Sequence, residues 1–412
     1  MHHEIISDNT AAGGHEPGTR HRHRAAIPTD AAPNKPGLTG SAAVLKPVIT
    51  VLTVGLAFVS VFLAAFHTPT AHRLPIAVVA SDKNAALFDV RLQRTAPDAF
   101  QVERYPGETA ARSAVEHRKV YAAYVQTGSV PQLLYAGANG VAVQALVAPL
   151  GHPQPGAGGP KAHVEDIVPL APGDSRGLSV FYASFGLVLA GFLFGQMTYQ
   201  VAPRLPFTQR MGSLTLFAVA GGLATALVAG AAFGAIPGPV LGIAGIVTLM
   251  SGAVAAGTVL LIRLFGPLGV PLGSIFMLVM GNATSGGVLP PSFLPGWLQP
   301  LASVMPPGVG VRALNGLAYF HNDGVESGLI ILAAWVLLCA AAILGLDRLA
   351  ASPAILHVAH RGRPDHAIGT HRATPHPPTL PAASDGTPAA AFLTERSAGS
   401  RPVDRGRAES GA

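Results

Sequence analysis

The sequence predicts an α-helical integral membrane protein: six transmembrane helices, with a small α/β extracytoplasmic domain between helices 1 and 2. Three observations predict it. The 412 residues contain six long apolar runs, each close to the about 20 residues that a helix needs to cross a bilayer core of about 30 Å. Between the first and second runs lies a stretch with the alternation and turn residues of a folded domain. Only 12% of residues are charged, against about 25% in a soluble domain, and they collect in the tails and in that intervening stretch. The chain divides accordingly into a tail (1–45), a first transmembrane helix (46–66), an extracytoplasmic α/β domain (67–176), a five-helix membrane domain (177–350) and a second tail (351–412).

The first apolar run, VITVLTVGLAFVSVFLAAF, spans Val48 to Phe66. It is longer than a signal-peptide core, and the HTPTAHRLP that follows is a poor cleavage site, so it is expected to remain as an anchor. Within Leu74 to Pro149, strands are predicted at Pro75–Ala80, Phe100–Tyr105, Val120–Gln126 and Gln132–Ala136. Helical spacing covers Ala85–Thr95, the stretch from Glu108 to about Lys119, and Val141–Leu150. A domain of this size buries a modest core, which favours packing against the membrane helices or a second copy. Cys339 is the single cysteine, so no disulfide supports it. Glu116 and His117 are sequence neighbours on different helix faces, not an acid/base pair.

The later spans are expected at Leu178–Tyr199, Ser213–Ile236, Val240–Ile262, Leu268–Leu289 and Gly328–Leu346. Arg20, Arg22, Arg24, Lys35 and Lys46 precede the first span, Arg204 and Arg210 follow the second, Arg263 ends the fourth, and Arg348 follows the sixth. By the bias of short cytoplasmic loops toward Lys and Arg, both termini lie in the cytoplasm. The same topological reading accounts for the +6 net charge without nucleic acid as a partner. Gly191/Gly195, Gly238/Gly242 and Ala253/Gly257 have the small-xxx-small spacing of close helix contact, either within one chain or between two copies. Between the fifth and sixth spans, GNATSGGVLPPSFLPGWLQPLASVMPPGVGVRALNGLAYF (281–320) is apolar but holds six prolines, so it cannot be one helix. It fits either a broken re-entrant element, with Asn282, Ser285, Pro290 and Pro291 near an outer gate, or an amphipathic cap on the bilayer surface. The tails are rich in His, Pro, Ala, Gly and Thr; their histidines lack the spacing of a metal site.

The sequence also limits what the chain can power. A phosphate-cradling loop needs Gly-x-x-x-x-Gly-Lys-Ser/Thr; none of Lys35, Lys46, Lys83, Lys119 and Lys161 follows a glycine or precedes Ser or Thr. Carriers driven by ion gradients keep ionisable groups at membrane depth; no Asp, Glu, Lys, Arg or His falls inside the expected spans. No nucleophile motif or cofactor signature is present, so an enzyme is not expected. An Ala/Gly/Pro/Arg-rich chain with few lysines suggests a GC-rich bacterial gene and the bacterial plasma membrane.

Several motifs in order carry a family resemblance: PIAVVASDKN after the first span, KVYAAYVQ and QLLYAGAN further on, VEDIVPLAPGDSRG before the second span, and the proline-rich 281–320 stretch before the last. Over about Val44 to Leu349 the chain resembles the ABC-2 type membrane permeases of the YhgE/Pip-like branch, which carry an extracytoplasmic domain between the first two spans. The resemblance implies export of a hydrophobic, lipid-linked or drug-like molecule by two permease copies, a homodimer or a pair, with separate ATP-binding subunits. It also implies that the loop VAPRLPFTQRM, with Arg204 and Arg210, faces the ATPase, although Pro203 and Pro206 discourage a helix there. Some relatives with this layout are receptors or accessory parts of secretion machines, so a non-transporting scaffold is the alternative.

Overall fold

A computed structural model describes residues 40–152 and 161–351; the tail histidines lie outside the described residues. Helix α1 (Ser41–Phe66) leads into a domain of alternating strands and helices. These are β1 (Leu74–Val79), α2 (Asp82–Thr95), β2 (Phe100–Arg104), α3 (Glu108–Glu116), β3 (Ala122–Val125), β4 (Gln132–Tyr135), α4 (Val141–Val147) and β5 (His163–Asp166). All but β5 lie close to the expected elements. Three boundaries shift by three residues: α2 starts at Asp82 and not Ala85, α4 ends at Val147 and not Leu150, and α3 ends at Glu116 and not near Lys119, where Arg118 takes a φ of 53°. That left-handed turn stops the helix.

The strand order is β2-β1-β3-β4-β5. β1 pairs in parallel with both β2 and β3, β3 with β4 antiparallel, and β4 with β5 in parallel. Successive side chains of a strand point to opposite faces, and the core divides on that rule. Leu74, Ile76, Val78, Tyr124 and Leu133 meet Phe88 and Leu92 of α2 and Val143 and Val147 of α4. Ala77, Val79, Ala123, Val125 and Leu134 meet Ala111, Ala114 and Val115 of α3. The result is three layers, helix–sheet–helix. α2 starts where the Ser81 side chain accepts the Asn84 N–H at 3.4 Å, a cap for otherwise unpaired donors.

The rest of the described chain is mostly helical. α5 (Ser179–Val201), α6 (Phe207–Thr225, extended by a π-helical turn at Ala226–Ala232) and α7 (Val240–Phe265) come first. α8 (Gly269–Gly273) and α9 (Gly281–Ala283) are joined by a π-helical turn at Ser274–Met280 into one rod. α10 (Gln299–Val304), α11 (Pro306–Tyr319) and α12 (Val325–Ala351) complete the bundle. α7 is its axis, with most residues from Ile243 to Ile262 buried. Gly191 and Gly195 press α5 onto it: an added Cβ would lie 2.8 Å from the Ser251 carbonyl oxygen and 2.8 Å from the Thr258 side chain. Gly242 meets Leu317, and Gly257 meets Met277, so these small residues serve packing within the chain.

Five helical stretches among the described residues are long and apolar enough to cross a membrane: Ala43–Phe66, Ser179–Val201, Phe207–Ala232, Val240–Ala283 and Val325–Ala350. Six were expected. The difference lies in the fourth stretch, which holds both Val240–Ile262 and the start of Leu268–Leu289. Gly266, at φ 58°, breaks α7, and Gly269 rests against Ile262 so closely that a Cβ would fall 2.3 Å from its Cα. With Met277 on Gly257, the rod folds back along α7. It is helical only over 269–283, about 22 Å at 1.5 Å per residue, short of a bilayer core. α1, α6 and α12 turn leucines outward, with Leu56, Leu216 and Leu337 exposed by 65%, 72% and 67%. Apolar surface on this scale fits lipid contact, and the chain is a helical membrane protein of several passes.

Candidate functional site

The sheet domain sits on one end of the bundle and shares its core with it. Leu289 and Phe293 join the α2 side of the sheet, and Phe320 joins the α3 side. The His72 N–H donates to the Ser292 carbonyl at 2.8 Å. Two left-handed turns face each other across this joint, Arg118 at φ 53° and His321–Asn322 at 48° and 66°. They bring the Arg118 guanidinium to Asp323, with Nη2 at 3.0 Å and Nε at 3.3 Å from Oδ2. Arg118 Nη2 also donates to the Arg312 carbonyl at 3.3 Å, and its guanidinium lies 5.0 Å from the centre of the Phe320 ring. Arg312 shares the same Asp323 oxygen at 3.3 Å. Burial pushes the pKa of Arg118 down from its usual value and the charge of Arg312 adds to that, while Asp323 pushes it back up.

Beside this ion pair is a cavity of about 350 Å³. Arg118, Lys119, Tyr121 and Asn139 line it from the sheet domain; Ser285, Pro290, Pro291, Ser292, Gln299 and Arg312 line it from the bundle. Its wall is the proline-broken segment between α9 and α11, held by Gln299 Nε2 donating to the Leu294 carbonyl at 2.9 Å. Three cations with one carboxylate beside them make the chamber electropositive, suited to a polar or anionic group. None of its lining residues is His, Asp or Glu: the Ser285 hydroxyl accepts the Gly287 N–H at 3.3 Å, the Ser303 hydroxyl donates to the Pro300 carbonyl at 2.8 Å, and the Ser292 hydroxyl lies 3.5 Å from the Tyr121 hydroxyl. Among the described residues, no three of His, Cys, Asp and Glu gather as metal ligands.

Ser285, Pro290 and Pro291 thus line one chamber. Asn282 does not: it is 2% exposed, and its Nδ2 donates back to the Leu278 carbonyl at 2.7 Å, so it closes a turn of its own rod. Trp297 is 60% exposed.

No known protein family, characterised protein or solved structure matches this chain.

The other expected pair, Arg204 and Arg210, lies at the opposite end of the bundle, beside a second cavity of about 320 Å³ with Tyr199, Arg263 and Asp347. Arg204 is exposed. Arg210 is only 5% exposed and so is poorly placed to meet a partner protein. Its Nη2 donates to the Pro203 and Leu205 carbonyls at 3.2 and 3.3 Å, and its guanidinium lies 4.2 Å from the centre of the Tyr199 ring. It ties the short loop down, with Pro206 as the residue before α6. Arg118, Asp323 and Arg312 escaped the sequence reading. The available signal was Arg312, the one charged residue in the apolar 281–320 stretch.

Proposed function

We propose that this chain is the permease subunit of an ABC-2 type exporter, moving a hydrophobic, lipid-linked or drug-like molecule outward with a separate ATPase and a second permease copy. The sheet domain lies outside the bacterial plasma membrane, and both tails lie in the cytoplasm. The rod 269–283, prolonged by the proline-broken segment, serves as the fifth of six spans. The observation that carries the reading is the electropositive chamber above long apolar helices whose ionisable residues, Lys46, Arg210, Arg263, Glu326, Asp347 and Arg348, lie near the helix ends. A chamber at the outer mouth suits a lipid-linked cargo with a polar head, and a bundle whose buried arginine, Arg210, sits in the first turn of its helix and not at mid-depth draws its work from elsewhere.

Purification from native membranes tests this. A nucleotide-hydrolysing subunit is expected to co-migrate, while the isolated chain hydrolyses nothing; hydrolysis by the chain alone, or no such partner, overturns it. A second reading, a scaffold or receptor that transports nothing, is favoured by the burial of Arg210, which leaves the loop little to offer an ATPase. There the sheet domain is the working part, and partner binding that survives deletion of 74–149 rules it out.

A further inference from the structure

We propose that the cavity at the far end of the bundle, bounded by Arg204, Arg210, Arg263 and Tyr199, is a binding site for a phosphate group. The argument starts from Arg210. It is buried, yet no carboxylate meets it, and its Nη1 has no hydrogen-bond partner. A buried donor without an acceptor is costly, and a buried charge more so. The two carbonyls on Nη2 and the Tyr199 ring below meet part of the demand; Nη1 still needs an acceptor.

The surroundings select an anion. Arg204 lines the same cavity and pairs with no carboxylate among the described residues. Arg263 lines it too, but its Nε donates to Asp347 Oδ1 at 2.9 Å. Three guanidinium groups and one carboxylate leave an excess of two positive charges around about 320 Å³. α6 begins at the cavity with Phe207; no side chain caps its first turn, and no acid stands in it. Its leading N–H groups and positive dipole end add to the attraction. Guanidinium forks match phosphate oxygens in geometry as well as charge. The chemistry fits a lipid headgroup phosphate at the membrane face or free inorganic phosphate.

The test uses the purified full chain in neutral detergent, with thermal stability read against added ligand. One arm adds mixed micelles of phosphatidylglycerol or of phosphatidylcholine; the other adds inorganic phosphate, with sulfate as control. Saturable stabilisation by phosphatidylglycerol alone assigns a lipid headgroup; stabilisation by inorganic phosphate at matched concentration assigns the free ion. Arg204→Gln touches only an exposed residue and is expected to weaken the apparent affinity about fivefold, as for one basic group at an anionic surface. Arg210→Lys is expected to weaken it further. Lys46→Gln, on another helix, is expected to leave it unchanged. Stabilisation by neither ligand, or equal affinity in the Arg204→Gln and Lys46→Gln proteins, overturns the proposal.

Discussion

The two ends of the bundle each bury an arginine and treat it differently. Arg118 meets a carboxylate from the opposing turn, Asp323, at 3.0 Å. Arg210 meets two backbone carbonyls and a tyrosine ring, with one nitrogen left over. Removing one partner of a buried ion pair strands the other charge, whereas removing an unpaired charge strands none. The contrast separates a closed joint from an open donor: Arg118 ties the sheet domain to the bundle, and Arg210 leaves Nη1 without an acceptor beside the proposed anion site.

Substitutions can break that comparison in order of size. Asp323→Asn leaves Arg118 buried without its counter-charge and is expected to cost about 3 kcal/mol, measured as a lower midpoint of thermal unfolding in detergent. Combining it with Arg118→Met is expected to recover much of that loss; a double variant no better than Asp323→Asn would show the pair is not the fastening. Gly195→Val pushes a side chain into Thr258, where a Cβ alone already falls at 2.8 Å, and is expected to cost about 2 kcal/mol. Asp174→Ala removes the carboxylate that accepts the Leu178 and Ser179 N–H groups at 3.0 and 3.2 Å, a loss of about 1 kcal/mol at the start of α5. Smallest of all, Arg210→Met is expected to shift the midpoint by less than about 1 kcal/mol. A penalty near that of Asp323→Asn would make the two arginines equivalent and erase the contrast.

Much of the sheet domain was legible because β1, β3 and β4 are short continuous apolar runs, the pattern of buried strands, while Phe100–Tyr105 alternates. β5 was not, since HVED at 163–166 is four residues long, half of them acidic, and gains its place only by pairing with β4. The helical break after Arg263 was visible in the charge and glycine pattern. The early end of the following rod at Ala283 was not, because Gly281, Asn282 and Ala283 remain apolar or small enough to continue it. Counting prolines showed that 281–320 is not one helix, but not that Ser285, Pro290 and Pro291 would line a chamber. It could not say that Asn282 would turn back on its own helix. The Arg118–Asp323 contact spans 205 residues and depends on non-glycine residues in left-handed turns, for which no local pattern exists. Arg204 and Arg210 look alike in the sequence, and only the fold of the loop turns one outward and the other in.

The central claim is that the bundle crosses the bilayer with the sheet domain on one side and the arginine-lined cavity on the other. Cys339, the single cysteine, is buried, so introduced thiols can be read against a quiet background. Gly128→Cys, on an exposed loop of the sheet domain, and Gln209→Cys, on exposed α6 beside Arg210, would be treated in intact cells with a membrane-impermeant maleimide. The account predicts labelling of Gly128→Cys at once and of Gln209→Cys only after the membrane is opened. Labelling of both from the same side would contradict it.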